Sequence, residues 1–180
     1  MIELTAEPVS NANFAPFGQV IWPEADGRDW QPGDPELTLH LGQPRLYLMQ
    51  LRAPGLRVNA LAAHRLVTQC LGSMESHAWQ IVVAAASHRE DQPLDAKTNL
   101  RAFSVPPQCI VRLHRGTWHA GPLFESPAEL VFCNLELHDT NSRDRAVLPL
   151  NEEQEVIVRP SQPRPSAPPA PAPDLPDPCR

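Results

Sequence analysis

The stretch Leu100–Leu123, LRAFSVPPQCIVRLHRGTWHAGPL, decides how the chain is read. Leu100–Val105 and Cys109–Leu113 are short runs rich in apolar and β-branched residues, separated by Pro106-Pro107. That is the pattern of two strands with a break between them. In the second run Ile110, Arg112 and His114 point to one side and Val111 and Leu113 to the other, because strand side chains alternate. Arg115-Gly116 then makes a turn that is expected to bring Trp118 and His119 back to the same mouth. The stretch holds two of the seven histidines, five residues apart and flanked by Arg112 and Arg115. A guanidinium beside an imidazole can grip a carboxylate and move a proton.

Working outward, the same signals recur along the chain. Phe14–Trp22 (FAPFGQVIW) contains a turn at Pro16–Gly18 and a short strand from Gln19; Pro23–Glu36 is a polar loop. Arg45–Arg52 is apolar on both faces, which predicts a buried strand. Leu56–His64 alternates, with Val58, Ala60, Ala62 and His64 expected on one face. Val67–Leu71, Gln80–Ala86 and Leu130–Leu137 complete the series, with a charged loop over His88–Thr98. In Leu130–Leu137, one face carries Leu130, Phe132, Asn134 and Glu136, which predicts a partly polar cavity beneath it. No run of ten or more residues has a helical apolar period. These features predict an all-β sandwich or barrel.

The bulk composition narrows the function. A chain of 180 residues, 42% hydrophobic and 20% charged, is long enough for one domain with a core. A net charge of −6 and a pI near 5.6 exclude attraction to nucleic acid or anionic lipid by bulk charge. No apolar run approaches a membrane span, and no signal peptide is expected at its start. Cys70, Cys109, Cys133 and Cys179 form no CxxC pair, and three lie in apolar strands, so a reducing cytoplasm is expected. The 22 prolines crowd toward the end. This divides the chain into a folded domain over 1–150 and a Pro-rich, disordered tail over 151–180.

A second cluster is LAAHRLVTQCL, with His64 and Gln69, as contacts for a substrate or a metal. A metal would have to draw on His64, His114 or His119 with Gln69, and with Glu75 or His77 as further donors, a spacing that does not itself demand one. His40 and His88 read as solvated. Cys70 in an apolar strand reads as an inert thiol. No phosphate-loop, dinucleotide, GxSxG or HExxH motif occurs.

FAPFGQVI, HRLVTQ, LRAF and HRGTWH followed by Pro122-Leu123 occur in this order. Together they resemble the ureidoglycolate lyase family, over about Phe14 to Leu137. The resemblance implies a cupin-like β-barrel of the RmlC-like jelly-roll type, a homodimer, and release of urea and glyoxylate from ureidoglycolate in allantoin breakdown. It also implies Ni2+ as a cofactor. The positions that match are His64, Thr68, Gln69, Arg101, Phe103, His114, Arg115, Trp118 and His119. On that basis His119 and His114 are the expected catalytic pair. Arg112, Arg115, Gln69 and Trp118 are the expected contacts to a small carboxylate, and His64 with His114 the expected metal ligands. Ala62, Ala63, Leu113, Ala120 and Asn134-Leu135 stand where the family usually carries polar or aromatic residues. A non-catalytic module binding a small carboxylic acid, or a metal-dependent cupin of other specificity, are the alternative readings.

Overall fold

A computed structural model of the chain describes residues 1–88 and 95–160. Its strands in chain order are β1 (Ile2–Thr5), β2 (Glu7–Pro8), β3 (Gly18–Ile21), β4 (Pro44–Arg52), β5 (Arg57–Val58), β6 (Ala60–Ala63), β7 (Cys70–Ser73) and β8 (Trp79–Ala84). They continue with β9 (Arg101–Val105), β10 (Ile110–Leu113), β11 (Trp118–Leu123), β12 (Glu129–Leu137), β13 (Ala146–Pro149) and β14 (Val156–Arg159). Three single-turn helices interrupt them: α1 (Asn11–Phe14), α2 (Ala96–Asn99) and α3 (Thr140–Arg143). The protein is all-β, its strands gathered into three sheets. No helix among the described residues is long and apolar enough to cross a membrane.

Two large sheets form the barrel walls. One runs β3-β10-β7-β12-β4 and the other β13-β6-β11-β8-β9-β2. Between them lies a core built on Phe14, Trp79, Ile81, Val83, Phe103, Val111, Leu113, Leu130 and Phe132. The second sheet is covered on its other side as well. Val82, Ala84, Ala102 and Trp118 pack there against Leu56, Val58, Val156 and Val158. Strand β8, WQIVVA, is buried along its whole length for this reason. Its odd-numbered side chains feed one core and Val82 and Ala84 the other, which requires an unbroken apolar run.

The third sheet, β1-β14-β5, supplies that second cover. Strand β1 pairs in parallel with β14, Ile2 opposite Val156. The folded unit therefore extends past the expected boundary at residue 150, because Val156 and Val158 are fully buried. The Pro-rich segment from 161 onward lies outside the described residues.

Three local expectations change. Strand β4 exists, but it is an edge strand, and Leu46 and Leu48 are 69% and 64% exposed. Val58 joins Leu61 and Ala63 in one core, since the chain breaks between β5 and β6. Trp118 and His119, adjacent on β11, face opposite sides of their sheet: Trp118 enters the outer core, with its indole N–H donating to the His88 carbonyl at 2.9 Å.

Candidate functional site

The site is built where the HRGTWH turn meets the end of β6. Gly116 has φ +81°, the left-handed conformation glycine adopts without penalty. The turn this makes lets the Gly116 N–H donate to the His64 carbonyl at 2.6 Å. Arg115 Nε donates to the next carbonyl, Arg65, at 2.6 Å. From the other side Asp144 closes the clamp. Its carboxylate accepts from the N–H groups of Arg65 at 2.7 Å and Leu66 at 2.6 Å. Its carbonyl accepts from His64 Nδ1 at 2.5 Å.

His119 enters from β11, opposite Ala62 of β6 and Val83 of β8. It faces the barrel interior because Val83 does. Its Nδ1 lies 3.1 Å from the Thr117 carbonyl. A carbonyl can only accept, so both His64 and His119 carry a proton on Nδ1, and each turns its Nε2 away from any protein partner. The two rings sit 5.4 Å apart between centroids, tilted by 56°. Burial, with His64 beside it, pushes the His119 imidazole down to about 4, so it is neutral near pH 7.

The third wall comes from β7, β12 and β4. Gln69 Nε2 donates to Glu136 Oε2 at 3.0 Å and to Asn134 Oδ1 at 3.3 Å. Asn134 Nδ2 donates to Glu136 Oε2 at 3.2 Å and to the Tyr47 hydroxyl at 3.0 Å. The Glu136 carboxylate, only 1% exposed, thereby fixes which way both amides point. Flipping Gln69 would set its oxygen against a carboxylate. As oriented, Gln69 Oε1 is buried with no partner. These residues enclose a pocket of about 190 Å³, also lined by Met49, Pro122, Asn141 and Arg145. That is room for a small metabolite. It falls short of the 300 Å³ or so at which drug-sized ligand pockets begin.

Of the residues singled out from sequence, His64, Gln69 and His119 converge on this pocket, and Asn134 and Glu136 face it as their alternation predicts. Others lie outside it, though His114 meets His64, Gln69 and His119 around a small adjoining hollow. His114 and Arg112 share the outer side of β10, as read. There Arg112 NH1 donates to His114 Nδ1 at 3.0 Å, and His114 Nε2 donates to the Ala15 carbonyl at 3.0 Å. Arg112 Nε is bound to the Glu36 carbonyl at 2.8 Å. Both nitrogens of His114 are therefore engaged, and neither it nor Arg112, Arg115 or Trp118 lines the pocket. Glu75 accepts from the Val131 N–H at 3.0 Å and borders a different hollow. Burial raises the Cys70 and Cys109 thiols to about 11, in keeping with inert core cysteines.

Sequence reasoning missed Tyr47, Asn141 and Arg145. Tyr47 was hidden in a run read as uniformly apolar. Arg145 follows a turn at no recognisable spacing from any histidine.

A resident divalent transition metal takes at least three protein donors. His64 and His119 offer two imidazole nitrogens, and the Gln69 amide oxygen suits harder cations. His114 cannot contribute. No three His, Cys, Asp or Glu side chains among the described residues are grouped to hold a metal. The donors do not fit a nickel ion held through His64 and His114.

No curated protein matches the sequence. Among solved structures, the chain is similar to a dTDP sugar isomerase from Desulfovibrio desulfuricans G20, with a TM-score of 0.47 and 13% identity. The match covers 77% of this chain and 85% of that one. The family model for ureidoglycolate lyase matches residues 24–157, which span β4 to β13, both histidines of the pocket and its Gln69–Asn134–Glu136 wall, and the chain belongs to the ureidoglycolate lyase family.

Proposed function

We propose that the protein cleaves the carbon–nitrogen bond of ureidoglycolate, releasing urea and glyoxylate, with His119 as the proton carrier. The observation that supports this reading is the pair of imidazoles, each held through Nδ1 with its Nε2 unengaged, lining one small polar pocket in a chain of this family. The substrate is a carbinolamine: one carbon bears a hydroxyl, a carboxylate and the ureido nitrogen. His119 Nε2 takes the hydroxyl proton, the C–O electrons form the carbonyl of glyoxylate, and the C–N bond breaks. The same proton then passes to the departing nitrogen, so the step balances without an outside acid. A buried imidazolium next to His64 is disfavoured, which makes His119 a willing donor in that second half. His64 Nε2 and the unpartnered Gln69 Oε1 accept hydrogen bonds from ureido N–H groups.

His119, not His114, carries the chemistry in this reading, and its partner is His64. The test is glyoxylate release from ureidoglycolate by the purified full-length protein, with and without added nickel. Release faster than the spontaneous rate, with or without nickel, supports the proposal; release at the spontaneous rate in both conditions overturns it.

A second reading rests on Ala62, which lies opposite His119 and lines the pocket where the family usually carries a polar pair nearby. A pocket that binds a small carboxylic acid without turnover would show thermal stabilisation by such acids and no product.

A further inference from the structure

The pocket needs a cation for a substrate carboxylate, and the residues first suited to that role are occupied. Arg112 is bound to the Glu36 carbonyl and His114, and Arg115 to the Arg65 carbonyl. Arg45 stacks over the Tyr47 ring at 3.8 Å and lies 3.9 Å from Glu136. Arg143 pairs with Asp139 at 3.4 Å. Among the described residues Arg145 is the one lysine or arginine that lines the pocket, and there its guanidinium has no hydrogen bond or ion pair. Its neighbour Asp144 forms no ion pair with it and turns its carboxylate to the Arg65 and Leu66 N–H groups instead.

We infer that Arg145 is the carboxylate anchor and sets the specificity of this pocket for a small acid bearing a ureido group. The inference rests on the lyase reading above and adds to it the residue that orients the substrate. The pocket is polarised. Arg145 is exposed at its rim, while Glu136 is buried in its wall with Gln69 and Asn134. A ligand with a carboxylate at one end and N–H donors at the other fits one way round: acid toward Arg145, ureido group toward Gln69 Oε1. That orientation sets the central carbon between the two ends, beside His64 and His119. A planar guanidinium meets a carboxylate with two parallel hydrogen bonds, which an ammonium cannot reproduce. The chain segment that carries Arg145 is the one that holds His64 by its Nδ1, so anchoring and positioning share one short stretch, Asp144-Arg145.

The experiment uses the full chain and two probes that lack the carbinol hydroxyl: oxalurate, which has the carboxylate and the ureido group, and its uncharged primary amide. Binding of each is measured by calorimetry to wild type, Arg145→Gln, Arg145→Lys and Arg143→Gln, with thermal melting of every variant. The expected result is that wild type prefers the acid. Arg145→Gln weakens acid binding by about ten- to a hundredfold while amide binding stays as it was. Arg145→Lys falls between, and Arg143→Gln behaves as wild type. Retained preference for the acid in Arg145→Gln overturns the anchor while the lyase reading stands. Equal loss of both probes with a lower melting temperature also overturns it, since that is a structural role. Wild type that binds neither probe and does not accelerate ureidoglycolate cleavage overturns both readings together.

Discussion

His64 and His119 reach the same pocket from different strands, their rings 5.4 Å apart, and each donates its Nδ1 proton to a backbone carbonyl. Those two anchors choose the tautomer. They leave both Nε2 atoms unengaged, and burial disfavours charging the His119 ring. His114 shows the opposite arrangement, with Nδ1 accepting from Arg112 and Nε2 donating to Ala15. Three histidines close in sequence or space thus divide into two with a free nitrogen and one with none.

That division predicts different phenotypes. His119→Gln is expected to lower kcat for ureidoglycolate cleavage by roughly a hundred- to ten-thousandfold, the usual range for losing a general acid–base group. His114→Gln is expected to keep kcat within a few-fold and to destabilise the fold by about 1–2 kcal/mol, as two hydrogen bonds are disturbed. Parallel glyoxylate assays and melting curves separate the two. A His114 variant that folds normally and has lost turnover would contradict the assignment.

The depressed imidazole of His119 predicts a pH dependence of stability. Its folded value is about 4 against an ordinary 6.5. Above pH 6.5 neither folded nor unfolded chain holds the proton, and the contribution is constant. Between 6.5 and 4 the unfolded chain takes up a proton that the folded chain refuses, so stability falls as pH falls. The slope is at most about 1.4 kcal/mol per pH unit from this one group. Below 4 both states are protonated and the loss levels off. Denaturant titrations across this window should show a shallower slope in His119→Gln than in wild type.

Glu136 is the keystone of the polar wall. Its carboxylate accepts from both Gln69 and Asn134 while almost wholly buried. Replacing it by leucine takes one acceptor from each of two buried amides, leaving Gln69 Nε2 only Asn134 Oδ1 and Asn134 Nδ2 only the Tyr47 hydroxyl. We expect Glu136→Leu to lower the urea midpoint by an amount corresponding to about 1–3 kcal/mol, with an unchanged m-value. Tyr47→Phe, which removes one outlying acceptor, should cost less. A Glu136→Leu protein as stable as wild type would show that the wall is not held as described.

Much of this was legible in the sequence, but unevenly. Alternation in Leu130–Leu137 correctly sets Asn134 and Glu136 inward with Phe132, since a strand has a fixed period of two. The same rule sets Arg112 and His114 on one face, yet cannot say whether that face is the barrel interior or its outside. Apolarity in Arg45–Arg52 predicts a strand but does not distinguish a central strand from an edge, so Leu46 and Leu48 were placed inside. His64 and His119 are 55 positions apart, and the pairing of β11 with β6, together with the clamp formed by Gly116, Arg115 and Asp144, brings them together. Arg145 carries no local signal. Its place depends on α3 turning the chain back across the end of β6.

The boundary at residue 150 fails for a physical reason that can be tested. Falling hydrophobicity after Leu150 suggests an end, but Val156 and Val158 are fully buried beneath Leu56, Val58 and Trp118, and β14 bonds to β1 along four residue pairs. Burying a valine contributes about 1.5–3 kcal/mol, so the pair accounts for roughly 3–6 kcal/mol. That is a large part of the 5–15 kcal/mol by which ordinary domains are stable. A chain ending at Pro160 keeps this strand, and one ending at Leu150 lacks it. The shorter chain also leaves the donors and acceptors of β1 without their partner strand. It is expected to melt at a much lower temperature than the longer one, or to fail to fold, with the difference read directly by circular dichroism. Equal melting temperatures for the two truncations would show that β14 is dispensable and that the domain does close at residue 150.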